Sequence, residues 1–134
     1  MNGPAPVALQ VLVQTGCANA RLRLGDLAAP LKAAGIALIE LADVAGLVVM
    51  RTVCCLANEA GDVMTWTTAG AADIDTAMRL GTTYPLGPLE WADTIGLSRV
   101  ATVLAHLQVH YGDVRYRRAP QLSRRHHALE TFHD

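Results

Sequence analysis

Two prolines three residues apart, Pro85 and Pro88, limit what the middle of this chain can become. They sit in residues 73–97, which read as helix, stop, rigid turn, helix, stop. Ile74, Ala77, Met78 and Leu80 recur at helical spacing. Gly81 stands where a helix can end on a left-handed residue. Tyr84 precedes a proline, so it is pushed out of the α region and cannot extend a helix. Pro88 fits the first turn of the next helix, where a missing N–H leaves nothing unsatisfied. Glu90 then brings a carboxylate to the positive end of that helix, and Gly96 ends or kinks it. Gly81, Tyr84, Pro85, Gly87, Pro88, Glu90 and Asp93 form one structural turn motif.

The flanking sequence divides in two. Residues 1–45 read as a short β–α–β piece: a loose lead-in over residues 1–6, an alternating strand over 7–14, a loop over 15–20, a helix over 26–34 ended by Gly35, and a strand over 36–41. That second strand is apolar on both faces and is expected to be covered. Pro30 is awkward inside the helix, which either starts near it or bends there. Residues 46–134 read as helical. A long helix spans about 46–68, with Val49, Val53, Leu56, Ala60 and Val63 in one apolar stripe and Met50, Cys54, Ala57 and Met64 in a second. A helix apolar over most of its circumference belongs in the centre of a bundle or at an interface. Gly61 inside it signals a close helix contact or a kink. Ser98 can cap the next helix, which runs to about Tyr111 with Val100, Val103, Leu104, Leu107 and Tyr111 as its core face. Gly112 stops it, and residues 121–129 form a last short helix.

The chain is long enough, at 134 residues, for one domain with a real core. Half its residues are hydrophobic and its mean hydropathy is +0.25, so some apolar surface is expected to meet a partner. No run of about 18 apolar residues suggests a membrane span, and no basic run precedes an apolar one as in a secretory leader. Cys17, Cys54 and Cys55 make no disulfide or metal pattern, and a reducing cytoplasm fits best. A net charge of −1 argues against a nucleic-acid binder. Six of the eleven basic residues fall late, at Arg99, Arg115, Arg117, Arg118, Arg124 and Arg125. They read first as a solvated face, and second as a site for phosphate groups such as those of coenzyme A.

Chemistry-bearing patterns are few. No G-x-G-x-x-G, G-x-S-x-G or P-loop occurs. His106 and His110, four apart on a helix, could face one zinc, yet Leu107 stands where a metalloprotease motif has glutamate. Surface histidines are the favoured reading, with no metal expected. Glu90 and Asp93 share a helix face, as acid–base carboxylates can. The preferred reading is a capping and dipole role for Glu90 and a surface or interhelix bond for Asp93. Asp75 and Arg79 read as an i,i+4 pair. No catalytic residue is assigned.

Three stretches in order carry a family resemblance: Asp43-Val44-Ala45-Gly46-Leu47-Val48-Val49-Met50-Arg51 with Asn58-Glu59-Ala60, then Leu80-Gly81 with Tyr84-Pro85-Leu86-Gly87-Pro88-Leu89-Glu90, then Tyr111-Gly112-Asp113-Val114-Arg115-Tyr116. Over residues 43–122 the chain resembles the C-terminal domain of 3-hydroxyacyl-CoA dehydrogenases. The resemblance implies a mainly α fold, a helical bundle of the 6-phosphogluconate-dehydrogenase C-terminal-like type. It implies a parent reaction, NAD-dependent oxidation of a 3-hydroxyacyl-CoA to a 3-oxoacyl-CoA in fatty-acid or aromatic-acid catabolism. It also implies that NAD and a catalytic His–Glu pair belong to an upstream domain, with no cofactor bound by these residues. Met50 and Arg51 are the substrate-adjacent positions. The family pattern has Asn where Met50 stands, and a thioether cannot donate a hydrogen bond. Ala45 and Leu47 likewise replace the usual Pro and Phe. The chain is therefore similar to the second, degenerate copy of the domain found in tandem-domain bacterial members. It is expected to cover the substrate cleft or to dimerise, as a homodimer or with a partner domain, and to be inactive by itself. The alternative is a free-standing helical interaction or acyl-CoA-binding module.

Overall fold

A computed structural model describes residues 10–15 and 18–134. The lead-in expected over residues 1–6 lies outside the described residues, as do Cys17 and the start of the first strand. The chain divides into two compact units, Met1–Val44 and Ala45–Asp134.

In the first unit, β1 (Gln10–Thr15) and β2 (Ala37–Ala42) pair in parallel, in register from Gln10 opposite Ala37 to Thr15 opposite Ala42. Helix α1 (Ala18–Ala33) joins them, since parallel neighbours need a crossover. It begins well before the expected residue 26, and residues 18–20, read as loop, are its first turn. Pro30 lies inside its last part and neither starts it nor ends it. Gly35 closes the helix at φ +72°. β2 is less covered than its apolar sequence suggests. Leu38, Ile39 and Leu41 are half-buried, while Ala37 and Ala42 are exposed, because one crossover helix can cover only one face of a two-stranded sheet.

The second unit is helical throughout: α2 (Val48–Trp66), α3 (Ala71–Thr82), α4 (Pro88–Ile95), α5 (Leu97–Tyr111), a single 3-10 turn (Val114–Tyr116) and α6 (Pro120–Ala128). α2 is the central element, packed by α4, α5 and α6. Its core face is the second predicted stripe. Cys54 and Ala57 are fully enclosed, with Met50 and Met64 packed against the same cluster. The first stripe is only partly covered, and Val49 and Val63 are exposed. Leu89 and Ala92 from α4, Val100, Ala101 and Leu104 from α5, Leu122 from α6 and the Phe132 ring fill the space around it. Tyr111, expected in the α5 core face, is instead exposed at its edge.

Three local readings change. Gly81 does not end α3, which runs on to Thr82 and stops at Thr83 in the left-handed region, φ +58°. Ser98 is not a cap, since α5 starts at Leu97 directly after Gly96, whose φ of +92° separates it from α4. Gly61 marks a contact, because a Cβ there would lie 3.3 Å from the Ala119 Cβ next to α6.

Candidate functional site

The turn between α3 and α4 is built around a buried carboxylate, Asp75. Pro88 has no N–H to satisfy, so the first turn of α4 presents the amides of Gly87, Leu89 and Glu90. Gly87 N–H donates to Glu90 Oε2 at 2.7 Å, one half of a capping box. Leu89 and Glu90 N–H donate to the two oxygens of Asp75, each at 2.9 Å. Asp75 comes from α3 and is 1% exposed, so one helix supplies the N-terminal anion of the next. This overturns the i,i+4 reading. Arg79 turns away from Asp75 and grips Glu90 with one terminal nitrogen, 2.7 and 2.9 Å from its two oxygens. The Gly87 amide chiefly holds the Glu90 carboxyl below its usual range; loss of solvent opposes it, and Arg79 and then His133 add smaller pulls downward.

The chain's end closes over this turn. His133 Nδ1 lies 2.7 Å from Asp93 Oδ2, and its Nε2 lies 3.1 Å from Asp75 Oδ2. Phe132 N–H donates to the other Asp93 oxygen at 2.8 Å. Thus Asp93 ties the tail to α4, and Glu90 and Asp93 are each engaged separately rather than aimed at a shared substrate position. Tyr84 packs on Trp91 across the turn, ring centroids 5.3 Å apart. Pro85 is exposed. Gly87 is required by closeness, since a Cβ there would lie 2.2 Å from the Asp75 side chain.

A second polar crossing lies on α2. Asn58, buried, donates to the Arg117 carbonyl at 2.8 Å and accepts from Ala119 N–H at 2.7 Å. It satisfies the backbone leading into α6. The sequence placed Asp75 in an i,i+4 pair and Asn58 in a family-like stretch, but it did not show the corner each of them ties.

The two substrate-adjacent positions separate in space. Met50 is half-buried against the core. Arg51 is likewise half-buried, on the neighbouring side of α2, its guanidinium 4.7 Å from the Tyr111 ring centre and 5.3 Å from that of Tyr116. It donates to both tyrosine hydroxyls. Beside it is an open cavity of about 290 Å³, lined by Arg51, Thr52, Cys55, Leu56, Glu59, Arg115 and Tyr116. A neighbouring trough of about 200 Å³ is formed by Val48, Val49, Thr52, Val53, Leu56, Tyr84 and Trp91. Burial pushes the Cys55 thiol up, with Arg51 and Arg115 pulling it back and Glu59 adding to the rise. Cys54 is driven up to about 11, first by burial and then by Cys55. Both are therefore thiols at neutral pH, not ready nucleophiles.

The late arginines do not converge. Arg117 pairs with Asp62 at 2.8 Å, Arg115 with Asp113 at 2.9 Å, and Arg125 binds the Thr131 carbonyl. His106 and His110 are both exposed on α5. Among the described residues no three metal-ligating side chains come together, and no helix is long and apolar enough to cross a membrane.

A family model for the C-terminal domain of 3-hydroxyacyl-CoA dehydrogenases matches residues 36–131. The chain is 44% identical over 91 residues to a 3-hydroxyadipyl-CoA dehydrogenase of Escherichia coli, which covers 68% of this chain and 19% of that protein. It superposes on the crystal structure of a 3-hydroxybutyryl-CoA dehydrogenase from Escherichia coli with a TM-score of 0.74 and 36% identity, covering 93% of this chain and 26% of the other. For a (S)-3-hydroxybutyryl-CoA dehydrogenase from Ralstonia eutropha the values are 0.77 and 32%, covering 92% and 44%. The chain thus spans less than half the length of each of these relatives.

Proposed function

Because this chain belongs to the family of 3-hydroxyacyl-CoA dehydrogenase C-terminal domains, we propose that it is the packing domain of an NAD-dependent enzyme that oxidises a 3-hydroxyacyl-CoA to a 3-oxoacyl-CoA. It walls the substrate cleft or dimerises and does no chemistry by itself. The hydride acceptor and the acid–base pair come from another polypeptide segment. The sequence holds no Gly-rich strand-to-helix turn to seat a dinucleotide pyrophosphate, so no step of the reaction is assigned to these residues. Met50 in place of the family's Asn fits a copy relieved of substrate contact.

One observation carries this reading: the central helix is left uncovered along one side. Trp66 is 79% exposed and Val63 is 43% exposed at the C-terminal end of α2. An indole and a valine side by side in water are the kind of pair that association covers. The carboxylates that resembled catalytic groups are held in structural bonds at the α3–α4 turn, which supports a scaffold over an active centre. A second copy of this chain, or a partner domain of similar fold, fits such a surface.

Sedimentation of the purified chain tests this. Self-association that rises with concentration and is abolished by Trp66→Asp is expected, with unchanged helical circular dichroism. A strict monomer at millimolar concentration, with Trp66 equally quenchable at all concentrations, contradicts the packing role for a second copy.

A further inference from the structure

The segment after α6 is fastened to the helices around it. The Phe132 ring is buried in the core cluster, and its amide donates to Asp93 on α4. Arg125 of α6 donates to the Thr131 carbonyl. His133 lies between carboxylates of two different helices. Of these groups, the imidazole is the type that changes charge between about pH 5 and 8.

Both of its nitrogens are engaged. Nδ1 is 2.7 Å from Asp93 Oδ2 on α4, and Nε2 is 3.1 Å from Asp75 Oδ2 on α3. A neutral imidazole has one N–H and one lone pair. With the hydrogen on the shorter contact, to Asp93, the lone pair of Nε2 faces a carboxylate oxygen. That oxygen already accepts the Glu90 amide. The Asp75 side chain is 1% exposed, so little solvent screens the repulsion. An imidazolium donates from both nitrogens instead. It also brings positive charge to a corner where Asp75, Glu90 and Asp93 meet and Arg79 answers only Glu90. Arg125 is turned elsewhere, to the Phe132 ring, to Glu130 at 4.0 Å and toward Asp134.

We propose that residues 130–134 form a proton-operated strap, closed while His133 is an imidazolium shared by Asp75 and Asp93 and slackened when the Nε2 proton leaves to solvent. Slackening frees the Phe132 amide from Asp93 and lets its ring leave the core. Attachment is full at the acid end and is lost as pH rises, because the closed form holds the extra proton. The strap needs no nicotinamide and no acyl group, so it stands whether or not the dehydrogenase reading holds.

Hydrogen exchange and nitrogen-15 imidazole spectra of the full 134-residue chain, over about pH 5–8, test the proposal. Protection of the Phe132 amide, taken relative to an unstructured peptide at each pH, is expected to fall by about tenfold or more as pH rises. The fall should coincide with loss of the His133 ring proton, while the Leu104 amide in mid-α5 keeps its protection. His133→Gln, at a side chain 32% exposed, should leave Phe132 weakly protected with no pH step. His133→Arg, a permanent cation with donors for both carboxylates, should keep the strap closed throughout. A flat Phe132 profile in the parent overturns the proposal, as does a step that does not follow the His133 ring. A step that survives in His133→Gln belongs to other imidazoles, such as His126 and His127 on α6, and overturns it too. So does His133→Arg losing protection at every pH, which means that the imidazole acts by shape.

Discussion

Asp75 receives two backbone donors, one on each oxygen, the amides of Leu89 and Glu90, and His133 Nε2 lies 3.1 Å from Oδ2. No water reaches it to take over if one bond is lost. Asp75→Ala therefore leaves two helix-terminal amides unmatched, and is expected to lower unfolding free energy by about 2–4 kcal/mol in urea titrations. Asp75→Asn keeps one acceptor and should fall between that variant and the parent. Helical spacing hid this residue, because i,i+4 periodicity describes one helix and Asp75 serves the next. Glu90 was legible, since a carboxylate two residues after a helix-starting proline has few other uses. Its lowered folded pKa carries a sign. Around and below the usual value of 4.5 the unfolded chain binds the proton more readily, so stability rises with pH there. The contribution is fully present above the unfolded value and is lost as pH falls through the folded one. Glu90→Gln should flatten that acid limb of a stability–pH curve, whereas a limb of unchanged steepness argues against the capping bond. At the two cysteines, Cys54 is enclosed and its thiol sits near 11. Timed iodoacetamide labelling at mildly alkaline pH should mark Cys55 before Cys54, which is spared until the protein unfolds.

At the scale of elements, helix starts and stops with a local chemical cause were readable, and those decided by contacts were not. Pro88 opens α4, and Gly112 closes α5 at φ +64°. Gly81 misleads because one glycine costs a helix only about 1 kcal/mol. The next turn of α3 is still held, with Thr82 Oγ1 donating to the Met78 carbonyl at 2.6 Å. The 3-10 turn at Val114–Tyr116 has no periodicity to read, and Asp113 forms it by accepting the Arg115 amide at 2.9 Å. The α3–α4 corner depends on close approach. Gly87→Ala puts a methyl group where the Asp75 carboxylate lies, and should destabilise by about 3 kcal/mol although its φ of −74° suits alanine. Thermal melts of Gly87→Ala and Asp75→Ala, singly and together, should be less than additive, since both break the same contact. Full additivity means that the two act separately. Gly61→Leu should likewise cost about 1–3 kcal/mol by overpacking against Ala119, outweighing its better helix propensity.

For the whole molecule, the central place of α2 was readable from apolar residues around most of its circumference, but its two sides were not told apart. Burial selected the Cys54–Ala57 side and left Val49, Val63 and Trp66 outward. Composition alone cannot make that choice, since it depends on which stripe meets α4, α5 and α6. The polar residues that a sequence could take for a catalytic dyad, Glu90 and Asp93, hold a corner and a chain terminus instead. Such an organisation fits the scaffold role proposed above. The most direct measurement is NADH absorbance on mixing the purified 134-residue chain with 3-hydroxybutyryl-CoA and NAD. No formation above the protein-free blank is expected at any pH. Sustained NADH production that scales with chain concentration and survives further purification contradicts the scaffold role.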